Sequence, residues 1–146
     1  MVKARHAQTA FSGEGVRLAG GRWNLPGDRA IYASSSLALA AMETFVHFGE
    51  DGLHIRFVYF RIKIPDTVPV RRCPRPPQGW QTEPPGEASM RFGSAWLRSG
   101  RGAVLQVPSA IIPTEWNFVF NPVHPDFAKL RIGRPRPFSF DSRMWT

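Results

Sequence analysis

A twelve-residue, mainly apolar run constrains the fold of this chain more than any other stretch. Residues Leu37–Phe48 are rich in Ala and Leu, and Glu43 is their only formal charge. This composition favours a helix over a strand. The serines at 34–36 supply an N-cap region, and Gly49 is placed to end the helix. Because the run is apolar on nearly every side, we expect the helix to be largely buried.

The lone carboxylate in this run needs either a partner or a function, because an unpaired buried charge is costly. Arg22 follows two glycines, and Tyr32 lies in a short strand-like segment beyond a Pro26-Gly27 turn of the type II pattern. We expect Arg22 and Tyr32 on two short strands joined by that turn. An ion pair of Glu43 with Arg22 that serves packing alone stays open. The working hypothesis is that Arg22, Tyr32 and Glu43 line one ligand site.

The rest of the chain predicts several short strands and few helices. Residues 54–65 alternate between apolar and polar side chains, which is typical of a strand with one face on the core. Residues 65–88 hold seven prolines and predict an ordered but irregular surface excursion, with Cys73 as an exposed loop thiol. Residues 94–100 suggest one or two helical turns. Further strands are predicted at 103–107, 117–120, 130–132 and 138–140. The pattern favours a single α+β domain over residues 1–146, mostly antiparallel.

Size and composition bound the class of protein. A chain of 146 residues suits one domain with a real core. It has no apolar run of about 18 residues, so no membrane span is expected, and its N-terminus does not resemble a signal peptide. The single cysteine excludes an internal disulfide and fits a reducing cytoplasm, which is the expected location.

The formal net charge of +8 has several interpretations. It can attract nucleic acid, a phosphorylated ligand or an acidic partner, or it can be a solvated basic surface. A nucleic-acid-binding or nuclease function is the weaker alternative, because Trp96, Trp116 and Phe118 look like core or strand residues. A partner-binding module without catalytic activity is a further alternative.

Familiar catalytic motifs are missing from the sequence. The four histidines are scattered without metal-ligand spacing, so no metal is expected. No Gly-x-Ser-x-Gly or phosphate-loop motif occurs. Gly13 and Gly15 suggest a dinucleotide fingerprint, but Leu18 stands where its third glycine should be, so a loop is expected. Taken singly, Tyr32 is an ordinary core tyrosine, Ser109 is a turn residue, and Asn121 with Pro122 ends a strand.

Together these segments resemble the RES-domain toxins of bacterial toxin–antitoxin pairs. The resemblance rests on Gly-Gly-Arg-Trp-Asn at 20–24, Tyr-Ala-Ser at 32–34 and the acid at Glu43. Val-Pro-Ser-Ala at 107–110, Asn117 and Asn-Pro-x-His-Pro at 121–125 continue it, so that it spans about residues 11–132. Residues 65–88 match no motif.

The resemblance implies a fold and a chemistry. The fold would be similar to ADP-ribosyltransferases, with split antiparallel sheets and short helices around an NAD cleft. The activity would be cleavage of the nicotinamide–ribose bond of NAD as substrate. By motif position the implied catalytic residues are Glu43, Arg22, Tyr32 and Ser109. Arg17 and Asn121 are implied as further NAD-binding residues.

Cleavage of that bond suits these residue types. Loss of nicotinamide leaves a ribose with developing positive charge, which a carboxylate can stabilise. Arginine offers a fork of donors to phosphate or ribose, and a tyrosine ring can stack on nicotinamide. A serine can hydrogen-bond the ligand.

The acceptor and the partners stay open at this point. Hydrolysis or phosphorolysis would deplete NAD, whereas transfer of ADP-ribose would modify a cellular protein. The resemblance also implies an Xre-like antitoxin that occludes the active site. DNA contact would then belong to that partner, and a homodimer within the complex is one open arrangement.

Overall fold

The protein is described here from a computed structural model of residues 1–145, without the side chains of Glu50 and Trp145. Nine short strands and three α-helices form the framework of the described chain. The strands are β1 (Val2–Lys3), β2 (Ile31–Ser34), β3 (Phe57–Tyr59), β4 (Ile62–Lys63), β5 (Val70–Arg72), β6 (Val104–Pro108), β7 (Trp116–Phe120), β8 (Arg131–Ile132) and β9 (Arg136–Phe138). The helices are α1 (Glu14–Ala19), α2 (Leu37–Phe48) and α3 (Glu87–Ser99). Short 3-10 helices occupy Ala4–Thr9, Gly49–His54, Pro125–Lys129 and Ser142–Trp145.

The strands form three separate sheets. The largest has the order β2-β7-β6-β5, the second β1-β3-β9, and β4 and β8 pair as a two-stranded ribbon. Every pair of neighbouring strands is antiparallel except β5 and β6, which run parallel. The prediction of an α+β fold with mostly antiparallel strands is therefore confirmed.

Strand β6 lies at the centre of the core, and every one of its residues is buried. On one side, Leu105 and Val107 join a cluster with Trp23, Leu97 and Val119. On the other side, a second cluster includes Ile31, Val68, Val104, Phe120 and Leu130. A strand covered on both faces is expected to be mainly apolar, and Val104–Pro108 is apolar apart from the buried Gln106.

Helix α3 is longer than the sequence predicted. One or two turns were expected at 94–100, but the helix extends over Glu87–Ser99. Gly93 in its middle disfavours helix by propensity, yet the site has no room for a side chain. A Cβ there would lie 1.9 Å from the carbonyl oxygen of Trp23. Packing against the Gly-Gly-Arg-Trp-Asn segment therefore outweighs the propensity of Gly93.

Helix α2 has the predicted bounds but not the predicted burial. The Ser36 hydroxyl accepts a hydrogen bond from the Leu39 backbone N–H, and Gly49 ends the helix with a positive φ of 48°. Leu39 is the one buried residue of this helix. Leu37 and Val46 are 40% and 53% exposed, so the expectation of a largely buried helix was wrong. Its exposed residues lie in the first and last turns, and the turns between them are buried or half-buried.

Phenylalanines attach α2 to the three-stranded sheet. The Phe48 ring lies 5.5 Å from that of Phe57 on β3, and Phe45 lies 6.1 Å from Phe140. Phe140 in turn contacts Phe57 and Phe138 edge-on, with ring centroids 5.6 and 5.1 Å apart. This contact fixes one side of the helix and leaves Glu43 to face other elements.

Three local predictions need correction. The strand expected at 54–65 is interrupted: His54 ends a 3-10 helix, and β3 and β4 are separated by residues 60–61. The excursion at 65–88 is not wholly irregular, since it contains β5 and the start of α3. Cys73 was expected to be an exposed loop thiol, but only 8% of it is exposed. Its backbone N–H donates to the Gln106 carbonyl and so continues the β5–β6 pairing into the core.

The glycine-rich N-terminal segment also differs from expectation. Gly13 turns the chain with a φ of 72°, as a loop glycine does, but Gly15 lies inside α1.

The predicted type II turn at 25–28 is confirmed. Gly27 has a φ of 103°, and the Asp28 N–H donates to the Leu25 carbonyl at 3.3 Å.

Candidate active site

Glu43 is held by two side chains from the four-stranded sheet. Its Oε1 accepts a hydrogen bond from the Ser109 hydroxyl at 2.8 Å and from the Asn117 amide at 2.5 Å. Among the described residues, Oε2 takes no hydrogen bond. The carboxylate is therefore fixed through one oxygen, and the other is available to a ligand. Glu43, Ser109 and Asn117 are called the carboxylate cluster below.

Ser109 lies directly after β6 and is fully buried. Besides donating to Glu43, its hydroxyl accepts hydrogen bonds from the backbone N–H groups of Ile111 and Ile112, both at 3.1 Å. A hydroxyl has one donor and two acceptor sites, so Ser109 is saturated. Its predicted contact with NAD stays a prediction, but the hydroxyl is already committed to orienting Glu43.

Asn117 was not among the predicted site residues, although it belongs to a family-like segment. It lies on β7, where it pairs with Ser34 of β2 and with Val107 of β6. Its Oδ1 is buried and has no hydrogen-bond partner within the described residues. A polar amide in the otherwise apolar β7 sequence was the available signal, since buried polar atoms normally find partners.

Arg22 does not pair with Glu43. Its Nη1 donates to the carbonyl oxygens of Trp80 and Thr82 at 2.7 and 2.8 Å, and its Nη2 contacts Glu83 at 3.0 Å. The packing hypothesis that paired Arg22 with Glu43 was therefore wrong about the partner. Arg22 also lies in a turn closed by a bridge between Gly21 and Asn24, not on the predicted strand. Its guanidinium fastens the proline-rich segment to the core.

Tyr32 lies on β2 as predicted, and its hydroxyl binds inside the protein. It donates to Asn24 Oδ1 at 2.7 Å and accepts from the Trp23 backbone N–H at 3.0 Å. Burial raises the pKa of the Tyr32 hydroxyl above its ordinary value. Tyr32 therefore remains a neutral donor at physiological pH and fixes the turn that carries Arg22.

The two remaining predicted NAD ligands lie at structural positions. Arg17 forms an ion pair with Glu14 at 2.7 Å, and Glu14 also contacts Arg29. Asn121 is buried. Its amide Nδ2 donates to the Leu97 carbonyl oxygen at 2.9 Å, and its Oδ1 accepts from the Val123 N–H at 3.3 Å. The NAD-binding roles of both residues stay predictions.

A cleft of about 520 Å³ lies along β2 and the start of α2, and none of the three residues of the carboxylate cluster is among its lining residues. Strand β2 and the start of α2 line it, including Tyr32, the serines at 34–36 and Ala40, which is one turn before Glu43. Phe118 and Phe120 of β7 line it as well. Its volume is in the range of roughly 300–1,000 Å³ that is common for small-molecule sites.

Two further features are absent from the described part of the chain. No group of three or more His, Cys, Asp or Glu side chains there could hold a metal ion. None of its helices is both long and apolar enough to cross a membrane.

The fold and the carboxylate cluster define a small α+β domain with an acid oriented by two neutral donors. The RES domain family profile matches residues 2–141, and the chain belongs to that family. Its similar relatives carry the names of toxins. A Prs ADP-ribosylating toxin of Sphingobium sp. (strain YBL2) is 42% identical over 92% of this chain and 86% of its own length. The toxin Res of Yersinia enterocolitica is 36% identical over 99% and 96%, and that of Photorhabdus laumondii is 34% identical over 99% and 94%. The protein is a toxin of the RES type.

Proposed function

We propose that the protein cleaves the bond between nicotinamide and ribose in NAD, with Glu43 as the catalytic carboxylate. The observation that supports this most is the carboxylate cluster, in which two neutral donors hold one carboxylate oxygen and leave the second to a ligand. Departure of nicotinamide creates positive charge on the ribose ring. A fixed carboxylate stabilises that charge without having to reorient during the reaction.

The neutral donors Ser109 and Asn117 suit this role better than a cation would. An arginine paired to Glu43 would offset the negative charge that the ribose cation needs. The two hydrogen bonds instead orient the carboxylate while leaving its charge in place. One group acting in this way contributes roughly 3–4 kcal/mol to lowering a barrier.

The unpaired Oδ1 of Asn117 supports an amide-bearing ligand. A buried acceptor without a partner costs about 1–3 kcal/mol. The carboxamide of nicotinamide has an N–H donor that would satisfy it once the side chains that cover Oδ1 in the free protein move aside. We propose that the nicotinamide end of NAD lies toward Asn117 and Glu43, with the remainder along the cleft beside β2.

The acceptor of ADP-ribose has two candidates. Water or phosphate as acceptor would deplete NAD by hydrolysis or phosphorolysis. Transfer to a protein is the second candidate, and it is favoured by the name of the Sphingobium relative, a Prs ADP-ribosylating toxin. Prs is therefore the first protein to test as an acceptor.

One experiment tests cleavage and acceptor together. Purified protein is incubated with NAD in phosphate buffer, in phosphate-free buffer, and with Prs and labelled NAD, while nicotinamide release is measured. We expect release in at least one condition and at least about a hundredfold loss in Glu43→Gln. Glu87→Gln, which removes the same charge from an exposed site on α3, is the matched control and should keep full activity. Intact NAD in all three conditions would overturn the proposal.

In cells, induced expression should lower NAD if the acceptor is water or phosphate. Glu43→Ala should abolish this effect. Undiminished NAD with a labelled protein band would favour transfer. The Xre-like antitoxin, its occlusion of the site and the cytoplasmic location stay predictions, as does the expectation that the protein does not bind DNA directly.

A further inference from the structure

A second cavity, separate from the carboxylate cluster, is lined almost entirely by cations. It has a volume of about 370 Å³ and lies along the β4–β8 ribbon and the start of β9. Its seven lining residues are Arg61, Lys63, Arg131, Ile132, Gly133, Arg134 and Arg136. We call this cavity the basic hollow. No acidic side chain is among these residues.

Two of the cations stand directly opposite each other. Lys63 and Arg131 are cross-strand partners in the antiparallel β4–β8 pair. Like charges in that arrangement are destabilising. Within the described chain, none of the five cations of the basic hollow forms an ion pair. The hollow therefore carries repulsion that a bound anion would relieve.

The backbone around the hollow is restrained. The Gly133 N–H donates to the Arg61 carbonyl at 2.8 Å and extends the ribbon beyond its paired residues. Arg134 and Arg136 each precede a proline, which restricts both to extended conformations. Residues two apart on an extended segment point to the same side. The arginines are thus presented together, with less entropy to lose on binding than a flexible tail would have.

We propose that the basic hollow binds a compact oligophosphate group, such as a diphosphate or triphosphate. Four of its five cations are arginines, whose planar forks bind phosphate oxygens in pairs. The cations converge on one small cavity rather than following an extended track, which favours a small molecule over a nucleic acid. Other arginines, such as Arg91 and Arg98, are neutralised by ion pairs.

The group has two candidate sources. Arg61 lines both the basic hollow and the cleft beside β2, so one side chain is within reach of both cavities. The oligophosphate can therefore be the pyrophosphate of NAD itself, which rests on the proposed function, or a separate metabolite. Competition between NAD and an inorganic oligophosphate distinguishes the two sources.

Binding of inorganic tripolyphosphate to the full chain, measured by calorimetry at constant ionic strength, tests the proposal. We expect one site, at least roughly tenfold tighter than for sulfate, since each added charge-assisted bond strengthens binding by about that factor. Arg131→Gln with Arg134→Gln should weaken binding by about a hundredfold. The control, Arg71→Gln with Arg72→Gln, removes the same charge from exposed β5 and should change binding by less than about twofold. Lys63→Gln gives a second, single-site variant.

The competition between NAD and tripolyphosphate is measured on the Glu43→Gln protein, so that NAD binds without being cleaved. Displacement of tripolyphosphate by NAD assigns the hollow to the substrate, and simultaneous binding assigns it to a separate metabolite. Both results stand even if NAD is never cleaved. Equal weakening in the hollow and control variants would overturn the proposal in favour of general electrostatic attraction. Tighter binding of a single-stranded RNA oligonucleotide than of tripolyphosphate, lost in the hollow variant, would overturn it in favour of a nucleic-acid surface.

Discussion

The Ser109 hydroxyl donates a hydrogen bond to Glu43 Oε1 at 2.8 Å across 66 residues of sequence. This bond joins the half-buried middle of helix α2 to the buried end of β6. Because Ser109 is itself fixed by two backbone N–H groups, the position of the carboxylate is set by the central sheet rather than by the helix alone. The same hydroxyl of Ser109 therefore orients the Glu43 carboxylate and stabilises the connection between β6 and β7.

Ser109→Ala should lower both stability and activity. The substitution removes the donor to Glu43 and leaves the N–H groups of Ile111 and Ile112 without their acceptor. We expect a loss of about 1–3 kcal/mol in the free energy of unfolding, measured with urea. Ser99→Ala, at an exposed serine with a local hydrogen bond to Trp96, should change it by less than about 0.5 kcal/mol. Equal effects of the two substitutions would contradict the assigned role of Ser109.

Asn117 and Ser109 should be coupled in their effects on NAD cleavage, because both donate to the same oxygen. We expect Asn117→Ala alone to reduce kcat/KM, and the Ser109→Ala, Asn117→Ala double variant to depart from the product of the single effects. A coupling free energy of about 0.5–3 kcal/mol is usual for residues in one network. Steady-state kinetics of the four proteins measure it. Independent, multiplicative effects would show that the two donors do not act through Glu43.

Arg22→Lys should loosen the proline-rich segment even though the charge is retained. A lysine ammonium cannot reproduce the fork that reaches two carbonyl oxygens and Glu83 together. We expect faster hydrogen exchange at the backbone amides of Trp80 and Thr82, measured by NMR. Glu83→Gln is the matched control, because it removes the ion pair and keeps both carbonyl contacts. Unchanged exchange in Arg22→Lys would mean that other contacts hold this segment.

Local signals in the sequence predicted the elements that depend on nearby residues. Ser36, the apolar run and Gly49 gave the bounds of α2, and Pro26-Gly27 gave the type II turn. The apolar β6 and β7 segments were also found within a residue or two. Each of these features depends on caps, turn residues or apolar composition, which a short window contains.

The contacts of the site depend on residues far apart in the chain, and these could not be derived from a short window. Arg22 precedes the helix that carries Glu43 with only a turn and one strand between them, so proximity in sequence suggested the wrong partner. The donors that hold Glu43 come from beyond β6 and from β7. Arg22 instead binds a segment about sixty residues away, within the range that showed no motif. The resemblance to a family indicated Ser109, but it did not show that its hydroxyl is saturated.

Gly93→Ala should severely destabilise the protein, although alanine is the better helix former. The new Cβ would overlap the carbonyl oxygen of Trp23, and backbone atoms cannot move aside as a flexible side chain does. We expect a loss of at least about 3 kcal/mol, or no folded protein, from overpacking. Gly15→Ala in α1 is the control: its Cβ would meet nothing within 4 Å. That substitution should be neutral or stabilise by about 0.4–1 kcal/mol. Similar thermal unfolding of both variants would contradict the close approach of α3 to Trp23.

The stability that Tyr32 contributes should disappear at high pH. Burial raises the pKa of its hydroxyl above the ordinary value of 10.0, so the folded state keeps the proton that the unfolded state releases. The contribution is therefore complete below pH 10 and is lost as the pH rises above it, with a slope of at most about 1.4 kcal/mol per pH unit.

Urea unfolding of wild type and Tyr32→Phe at pH 8 to 11 isolates this group. Cys73, whose pKa is also raised by burial, is common to both proteins and cancels in the comparison. At pH 8 we expect a higher free energy of unfolding for the wild type, because Tyr32→Phe leaves Asn24 Oδ1 without its donor. Above pH 10 this difference between the two proteins should shrink. A difference that stays constant over this range would show that the Tyr32 hydroxyl is not held in its neutral form by the fold.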